Sequence, residues 1–297
     1  MKNRAAFLAG LSLFLCFCLL VAGGNVGTWA SKGLIAWGIL LAEVAAFLVP
    51  TVLLILPLRK GERLQIPVST KRLNVRTVRL SIRLGIAVSL ISFLLNLVCL
   101  HLFGQDVSSI NPASFHASDI GGHFLLYLFA IVIIPAIVEE IYVRGAIFRI
   151  FNRYAGTGLS IVLSALVFAM LHGSFYNFLG PFVAGIVFGW LTFVYDSIWP
   201  SAIAHLVNNL FYLIILWCTD VYSVFGIWNY FPAICLILVL LFIYLSLGSV
   251  ERLLLAGRVP HFAQGQHTLV AIRTLIGNPA SIAFILAFLA KTVFGVI

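Results

Sequence analysis

Long apolar stretches separated by short polar segments run through the whole chain. A helix that crosses the hydrocarbon core of a bilayer needs about 20 apolar residues. Nine candidate stretches are residues 5–23, 34–58, 81–103, 124–148, 158–177, 180–195, 200–218, 229–248 and 279–296. The sixth opens with Gly180-Pro181, and because proline fits the first turn of a helix, a new helix is expected there. The pattern predicts an all-α, polytopic bundle of about eight or nine transmembrane helices.

The composition agrees with this pattern and excludes a soluble globular protein. Of the 297 residues, 62% are hydrophobic and only 9% are charged, and the mean hydropathy is +1.13. No linker or polar block is long enough to indicate a second, soluble domain. We therefore expect a multi-pass integral membrane protein.

Positive charge is concentrated in one polar segment. Eighteen lysines and arginines against nine acidic residues give a net charge of +9, and eight of the eighteen lie within residues 59–83. The segment 104–123 contains Asp106 and Asp119 but no lysine or arginine. Because cytoplasmic loops are enriched in lysine and arginine, we expect a cytoplasmic N-terminus and a basic loop that contacts anionic lipid. No nucleic-acid-binding motif accompanies the charge, so the bilayer is the expected partner and nucleic acid is not.

The first 24 residues allow two interpretations. Lys2 and Arg4 precede an apolar run that ends at Ala22-Gly23-Gly24, as in a signal peptide. Because the cleavage pattern is weak and the rest of the chain is itself polytopic, a retained first span is favoured.

The five cysteines all lie in apolar stretches. They are Cys16, Cys18, Cys99, Cys218 and Cys235. None has the CxxC spacing of zinc or redox sites, so we expect them to pack as small apolar side chains.

Two adjacent glutamates interrupt the fourth apolar stretch. Glu139 and Glu140 lie in the segment Ile-Val-Glu-Glu-Ile-Tyr-Val-Arg, which ends at Arg144. An ionisable group inside a bilayer costs at least about 2.5–3.5 kcal/mol, so such groups usually mark a working site. Glu140 and Arg144 are four residues apart and share a helix face, whereas Glu139 points about 100° away. The spacing pairs Glu140 with Arg144 and leaves Glu139 free for chemistry.

Histidine occurs at helical spacing in two later stretches. Phe168 and His172 are four residues apart, as are His205 and Asn209. The aromatic ring could line a pocket and hold the imidazole of His172. An imidazole and an amide on one face can donate hydrogen bonds to a developing oxyanion, ligate a metal or pack helices together.

Together, these residues resemble the motifs of a known family. The three motifs read Glu139-Glu140-x-x-x-Arg144, Phe168-x-x-x-His172 and His205-x-x-x-Asn209. In this order they resemble the motifs of the CPBP family, which holds the CAAX prenyl endoproteases of the Rce1 type and bacterial Abi-type membrane proteins. The resemblance covers about residues 120–218. It divides the chain into N-terminal spans with the basic loop (1–119), this catalytic core and C-terminal spans (219–297).

The resemblance implies an intramembrane endopeptidase. We expect it to lie in the plasma membrane of a bacterium. Its substrate would be a membrane-embedded or lipidated peptide, such as a CAAX-type prenylated protein or a bacteriocin or pheromone precursor. The implied catalytic residues are Glu139, His172, His205 and Asn209. The implied supporting residues are Glu140, Arg144 and Phe168. In the family, the residues matching Glu139 and His172 activate water, and the pair matching His205 and Asn209 stabilises the oxyanion.

The sequence leaves metal dependence open. Glu139, His172 and His205 could form a three-ligand site for a divalent metal such as zinc. There is no HExxH helix of the usual zinc-protease kind. Water activated by Glu139 and His172 without a metal is the favoured reading.

Two other classes of function remain as alternatives. Intramembrane glutamate and histidine also build proton relays, and the break at Gly180-Pro181 resembles the discontinuous helices of carriers, which indicates a proton-coupled transporter. A non-enzymatic scaffold or immunity protein could keep the same motifs for packing. Glu43, in the second apolar stretch, has no evident partner in the sequence.

Overall fold

The computed structural model describes residues 3–26, 32–58, 64–70, 73–104, 124–225, 230–262 and 266–294, and within these ranges all regular structure is helical. The nine helices of the described ranges are α1 Arg4–Val26, α2 Lys32–Ile55, α3 Val75–Phe103, α4 Phe124–Leu171, α5 Leu179–Tyr195, α6 Trp199–Phe225, α7 Phe231–Leu255, α8 Gln266–Leu275 and α9 Pro279–Phe294. The predicted all-α class is confirmed. Most of the basic segment 59–83 lies outside the described residues or in the first turns of α3.

Five of these helices are long and apolar enough to cross a membrane, and a sixth span results if α8 and α9, which meet at 67°, are counted as one broken span. Two shorter apolar helices, Leu179–Tyr195 and Trp199–Ile215, correspond to the predicted sixth and seventh stretches. If α4 is counted as two spans because it is interrupted at Gly156, and if the two shorter helices are included, the total is compatible with the prediction of about eight or nine spans.

Helix α4 contains 48 residues and would be roughly 72 Å long if straight, more than twice the thickness of a hydrocarbon core. It is interrupted at Gly156, whose φ of 69° and ψ of 168° are not helical. Glycine adopts a positive φ at little cost because it has no Cβ. The interruption coincides with the polar gap between the predicted fourth and fifth spans.

Two boundaries differ from the sequence prediction. Helix α3 begins at Val75 rather than residue 81, because Asn74 caps it by accepting a hydrogen bond from the backbone N–H of Thr77 at 3.0 Å. Helix α4 ends at Leu171 rather than residue 177, because Gly173, with a φ of 62°, turns the chain directly after His172. His172 therefore lies at a helix end.

Helix α4 has a distinctive local structure around the two glutamates. Two π-helical segments, Leu128–Ile133 and Ile141–Ile147, enclose the short α-helical segment Ile134–Glu140. π-Helical turns occur frequently at functional sites because the extra residue redirects side chains. This part of α4 packs against α2 and α6, and the part after Gly156 packs against α5. Side chains of α4 therefore contact α2 and α6 before Gly156 and α5 after it.

The contact between α4 and α5 depends on a glycine. A Cβ at Gly185 would lie 2.8 Å from both the Cα and the Cβ of Ala165. Such a distance is shorter than real Cβ atoms allow, so only glycine permits this close approach. The approach brings the backbone carbonyl of Gly185 to 3.3 Å from Nη2 of Arg144, which donates to it.

Of the cysteines, Cys16, Cys99 and Cys235 are buried, as predicted, whereas Cys18 is exposed. The side chain of Cys218 lies outside the described residues.

The glycine contact gives a test of this packing. Replacing Gly185 by alanine is expected to lower the free energy of unfolding by about 1–3 kcal/mol, because α4 and α5 must separate. The matched control is Gly248→Ala in α7, where an added Cβ meets nothing within 4 Å. Unfolding of the two variants in detergent micelles should show a loss for Gly185→Ala only. Equal stabilities would contradict the close contact.

Candidate active site

A buried carboxylate on α4 connects two helices. Oε1 of Glu140 accepts a hydrogen bond from Nη1 of Arg144 at 2.7 Å, and the same oxygen lies 3.0 Å from Nδ1 of His205 on α6. The side chains of Glu140 and Arg144 are 0% exposed. Because a carboxylate only accepts, Nδ1 of His205 must carry the proton and donate it. In the neutral imidazole the lone pair is then on Nε2. Glu140 therefore fixes the tautomer and the orientation of His205.

Aromatic rings surround the buried guanidinium of Arg144. Its Cζ lies 4.4 Å from the ring centroid of Phe168 and 5.4 Å from that of Phe188 on α5. Cation–π attraction of this kind strengthens when the cation is removed from water. The charge of Arg144 is thus compensated by Glu140 and by two ring faces.

The ring of Phe168 also contacts both histidines. Its centroid lies 4.9 Å from that of His172 and 5.6 Å from that of His205, both in edge-to-face geometry. Phe188 stacks on His205 at 5.0 Å. The two imidazoles, which are 33 residues apart in sequence, are therefore held against one aromatic side chain.

His172, His205 and Asn209 line one cavity, together with Phe168. The cavity measures about 110 Å³, well above the roughly 10–15 Å³ that a single water requires. Nδ1 of His172 is 2.9 Å from the carbonyl oxygen of Phe168 and must donate to it. Both histidines thus have Nδ1 occupied, so Nε2 is the nitrogen that each keeps for other partners.

The amide of Asn209 is oriented by its neighbours. Its Nδ2 donates to the backbone carbonyl of Ile131 at 3.4 Å, and its Oδ1 accepts from Nδ2 of Asn208 at 3.2 Å. An amide nitrogen carries two hydrogens, so one N–H of Asn209 is left for a ligand in the cavity. That donor is the group an oxyanion would need.

Glu139 does not line this cavity, although sequence reasoning made it the free carboxylate. Its side chain hydrogen-bonds to Glu43 on α2. Two carboxyl groups can hydrogen-bond only if they share a proton between them. Glu139 is therefore the partner of Glu43, which was not evident from the sequence.

A second polar cluster surrounds the pair of carboxyl groups. Cys16 of α1 lies near both Glu43 and Glu139. The hydroxyl groups of Tyr142 and of Ser12 on α1 are 3.0 Å apart, and the ring of Tyr142 contacts that of Phe47 on α2. The glutamate segment of α4 therefore has one polar face toward the cavity helices and another toward α1 and α2.

The arrangement does not fit the three-ligand metal site that the sequence allowed. Within the part of the chain that the structure describes, no three His, Cys, Asp or Glu side chains are grouped so that they could hold a metal ion. His172 and His205 share the cavity, but the carboxyl group of Glu139 is bonded to Glu43.

Sequence reasoning missed two partners of the predicted residues. The Glu140–His205 contact joins positions 65 residues apart, and no local spacing encodes it. Glu43 is an acidic residue in an apolar stretch, and such a residue requires a partner. The sequence, however, does not indicate that this partner is Glu139.

Comparison with known proteins identifies the segment that contains this site. Residues 121–211 match the family model described as type II CAAX prenyl endopeptidase Rce1-like. The matched segment includes every motif residue from Glu139 to Asn209. The resemblance to this family is therefore confirmed, and the chain contains an Rce1-like domain. For that domain the family implies CAAX-type intramembrane protease activity. No curated protein and no solved structure matched the chain.

The central ion pair gives a stability test. Glu140→Gln removes the negative charge beside Arg144 and is expected to lower the free energy of unfolding by about 3–5 kcal/mol, because a buried cation loses its partner. Asp196→Asn is the matched control. Asp196 pairs with Arg149 at 2.5 Å but is 65% exposed, and such pairs contribute about 0–1 kcal/mol. Asparagine also tolerates the positive φ of 47° at this position. Denaturation of both variants in the same detergent should separate them, and similar losses would contradict a central role for Glu140.

Proposed function

We propose that this protein is an intramembrane endopeptidase that hydrolyses a peptide bond of a membrane-anchored substrate, with CAAX-type prenylated proteins as the leading class. The observation that carries the proposal is the convergence of His172, His205 and Asn209 on one polar cavity within the Rce1-like segment. Bacteriocin or pheromone precursors, which are also membrane-associated peptides, remain the alternative substrate class of this proposal.

In the proposed reaction, a water molecule in the cavity attacks the carbonyl carbon of the scissile bond. His172 orients this water through Nε2, and Glu139 accepts the proton that the water loses. Because Glu139 hydrogen-bonds to Glu43 in this structure, its carboxyl group must change rotamer to reach the water. The shared proton stays on Glu43, so that Glu139 leaves the pair as a carboxylate. The proton then passes to the leaving amine as the carbon–nitrogen bond breaks.

The tetrahedral intermediate carries a negative oxygen that needs donors. The free N–H of Asn209 supplies one. Nε2 of His205 supplies a second only when the imidazole is protonated, and the Glu140 carboxylate at 3.0 Å stabilises that form. Glu140 and Arg144 thus act by orienting and charging His205 rather than by contacting the substrate.

We further propose that the protein lies in the plasma membrane of a bacterium, with its N-terminus and the mouth of the cavity on the cytoplasmic side. The excess of lysine and arginine in residues 59–83 over 104–123 supports this orientation.

Cleavage by the purified protein tests the proposal. Wild-type protein in lipid nanodiscs is expected to cut a farnesylated CAAX peptide, and His172→Ala is expected to lower kcat by about 10²-fold or more, because the group that orients the attacking water is lost. Mass spectrometry of the products measures both. If no lipidated peptide from a panel is cut by the wild type, the protease proposal fails. Proton-coupled flux that depends on Glu139 would then support a transporter.

A second pair of variants tests which carboxyl group is the base. Glu139→Gln should lower kcat by about 10²–10⁴-fold. Glu43→Gln should stay within about tenfold of wild type, because the glutamine amide can donate to Glu139 in place of the shared proton. Both changes replace one carboxyl of the same pair by an amide, so each controls for the other. Equal losses, or full activity of Glu139→Gln, would remove Glu139 from its proposed role.

A further inference from the structure

Three residues that line the cavity each carry a buried polar atom with no hydrogen-bond partner among the described residues. These atoms are the hydroxyl of Ser92 and the side-chain carbonyl oxygens of Asn96 and Asn208. Ser92 and Asn96 are four residues apart on α3 and share a helix face. Their side chains are buried, with exposures of 8% and 1%. None of the three residues belongs to the motifs described above.

The orientation of Asn208 follows from a chain of hydrogen bonds. The backbone carbonyl of Ile131 can only accept, so the amide nitrogen of Asn209 must face it. The side-chain oxygen of Asn209 then faces Asn208, which must donate its own nitrogen. The oxygen of Asn208 is consequently left as an unpaired acceptor.

Asn96 presents a second acceptor. Its Nδ2 donates to Oδ1 of Asn177, in the connection between α4 and α5, at 3.0 Å. Its Oδ1 has no partner. The residues that line the cavity therefore carry two unpaired carbonyl acceptors and the hydroxyl of Ser92, which can donate or accept.

Buried hydrogen-bond acceptors without a partner favour a ligand whose own hydrogen-bond donors lack partners. A peptide bond that is to be cut inside a membrane must be presented in an extended conformation, because a helix shields its backbone. The N–H groups of that extended segment then lose their helical partners, and hydrocarbon offers no replacement. Acceptors fixed on the enzyme would restore these hydrogen bonds, much as a strand edge does for a bound peptide.

We propose that Ser92, Asn96 and Asn208 form a subsite that binds backbone N–H groups of the extended substrate peptide beside the scissile bond. This inference rests on the proposed function and adds to it the residues that hold the peptide. Buried water would supply the same donor chemistry, and the experiment below separates the two sources.

Equilibrium binding of a fluorescent farnesylated CAAX peptide tests the subsite. The full-length protein is used in nanodiscs in a His172→Ala background, where binding is measured without reliance on cleavage. Asn208→Ala and Ser92→Ala should each raise Kd by roughly three- to tenfold, as expected for one lost hydrogen bond. Ser81→Ala is the matched control, because Ser81 is also a buried serine of α3 with an unpaired hydroxyl but does not line the cavity. Its Kd should not change.

Peptide analogues with one N-methylated backbone nitrogen identify the donor. One analogue should bind the parent protein roughly three- to tenfold more weakly and should show no further loss with Asn208→Ala or with Ser92→Ala, because the same hydrogen bond is already absent. Additive losses for every analogue would assign the unpaired atoms to water and overturn the subsite. Absence of peptide binding would overturn it as well.

The two proposals fail in different ways. If the wild type cuts the peptide but Ser92→Ala and Asn208→Ala leave its Kd unchanged, the subsite proposal is wrong and the protease proposal is supported. If binding depends on these residues but the wild type never cuts any peptide, the subsite stands as a peptide-binding site and the protease is wrong.

Discussion

The site depends on one buried carboxylate. Glu140 holds Arg144 at 2.7 Å and His205 at 3.0 Å through the same oxygen. In an apolar bundle, an arginine without this partner would be a strongly destabilising charge. With this partner, the guanidinium packs against the rings of Phe168 and Phe188. These rings in turn contact His172 and His205. The geometry of the cavity is therefore a consequence of how one charge is neutralised.

The two adjacent glutamates contact different helices. Glu140 faces the cavity helices, whereas Glu139 hydrogen-bonds to Glu43 on α2. A shared proton between two carboxyl groups allows both to be buried without two negative charges. In the proposed mechanism, Glu139 leaves this pair to reach the water. The proposed mechanism therefore requires the Glu43–Glu139 pair to separate during catalysis. The proposed subsite in the polar lining of the cavity requires the substrate peptide to be extended.

Local patterns in the sequence predicted much of this arrangement, and long-range contacts account for the rest. Apolar stretches predicted the helices, and four-residue spacing predicted the Glu140–Arg144 pair and the shared face of Phe168 and His172. The helix boundaries depended on Asn74 and Gly173, whose capping roles a hydropathy window does not detect. The partners of His205 and Glu139 lie on other helices, so no spacing rule could supply them. Among the described residues, Glu139 lies beside Glu43 and not with His172 and His205, so the three possible metal ligands are not grouped.

The position of the scissile carbonyl relative to these side chains tests the account most directly. A cryo-EM structure of the protein in nanodiscs with a non-cleavable farnesylated peptide would measure it. The account predicts an extended peptide in the cavity, with its carbonyl oxygen within about 3–3.5 Å of the free amide N–H of Asn209 and with the Glu139 carboxyl group turned away from Glu43. A peptide bound outside the cavity, or a Glu43–Glu139 pair that persists beside the bound substrate, would contradict it.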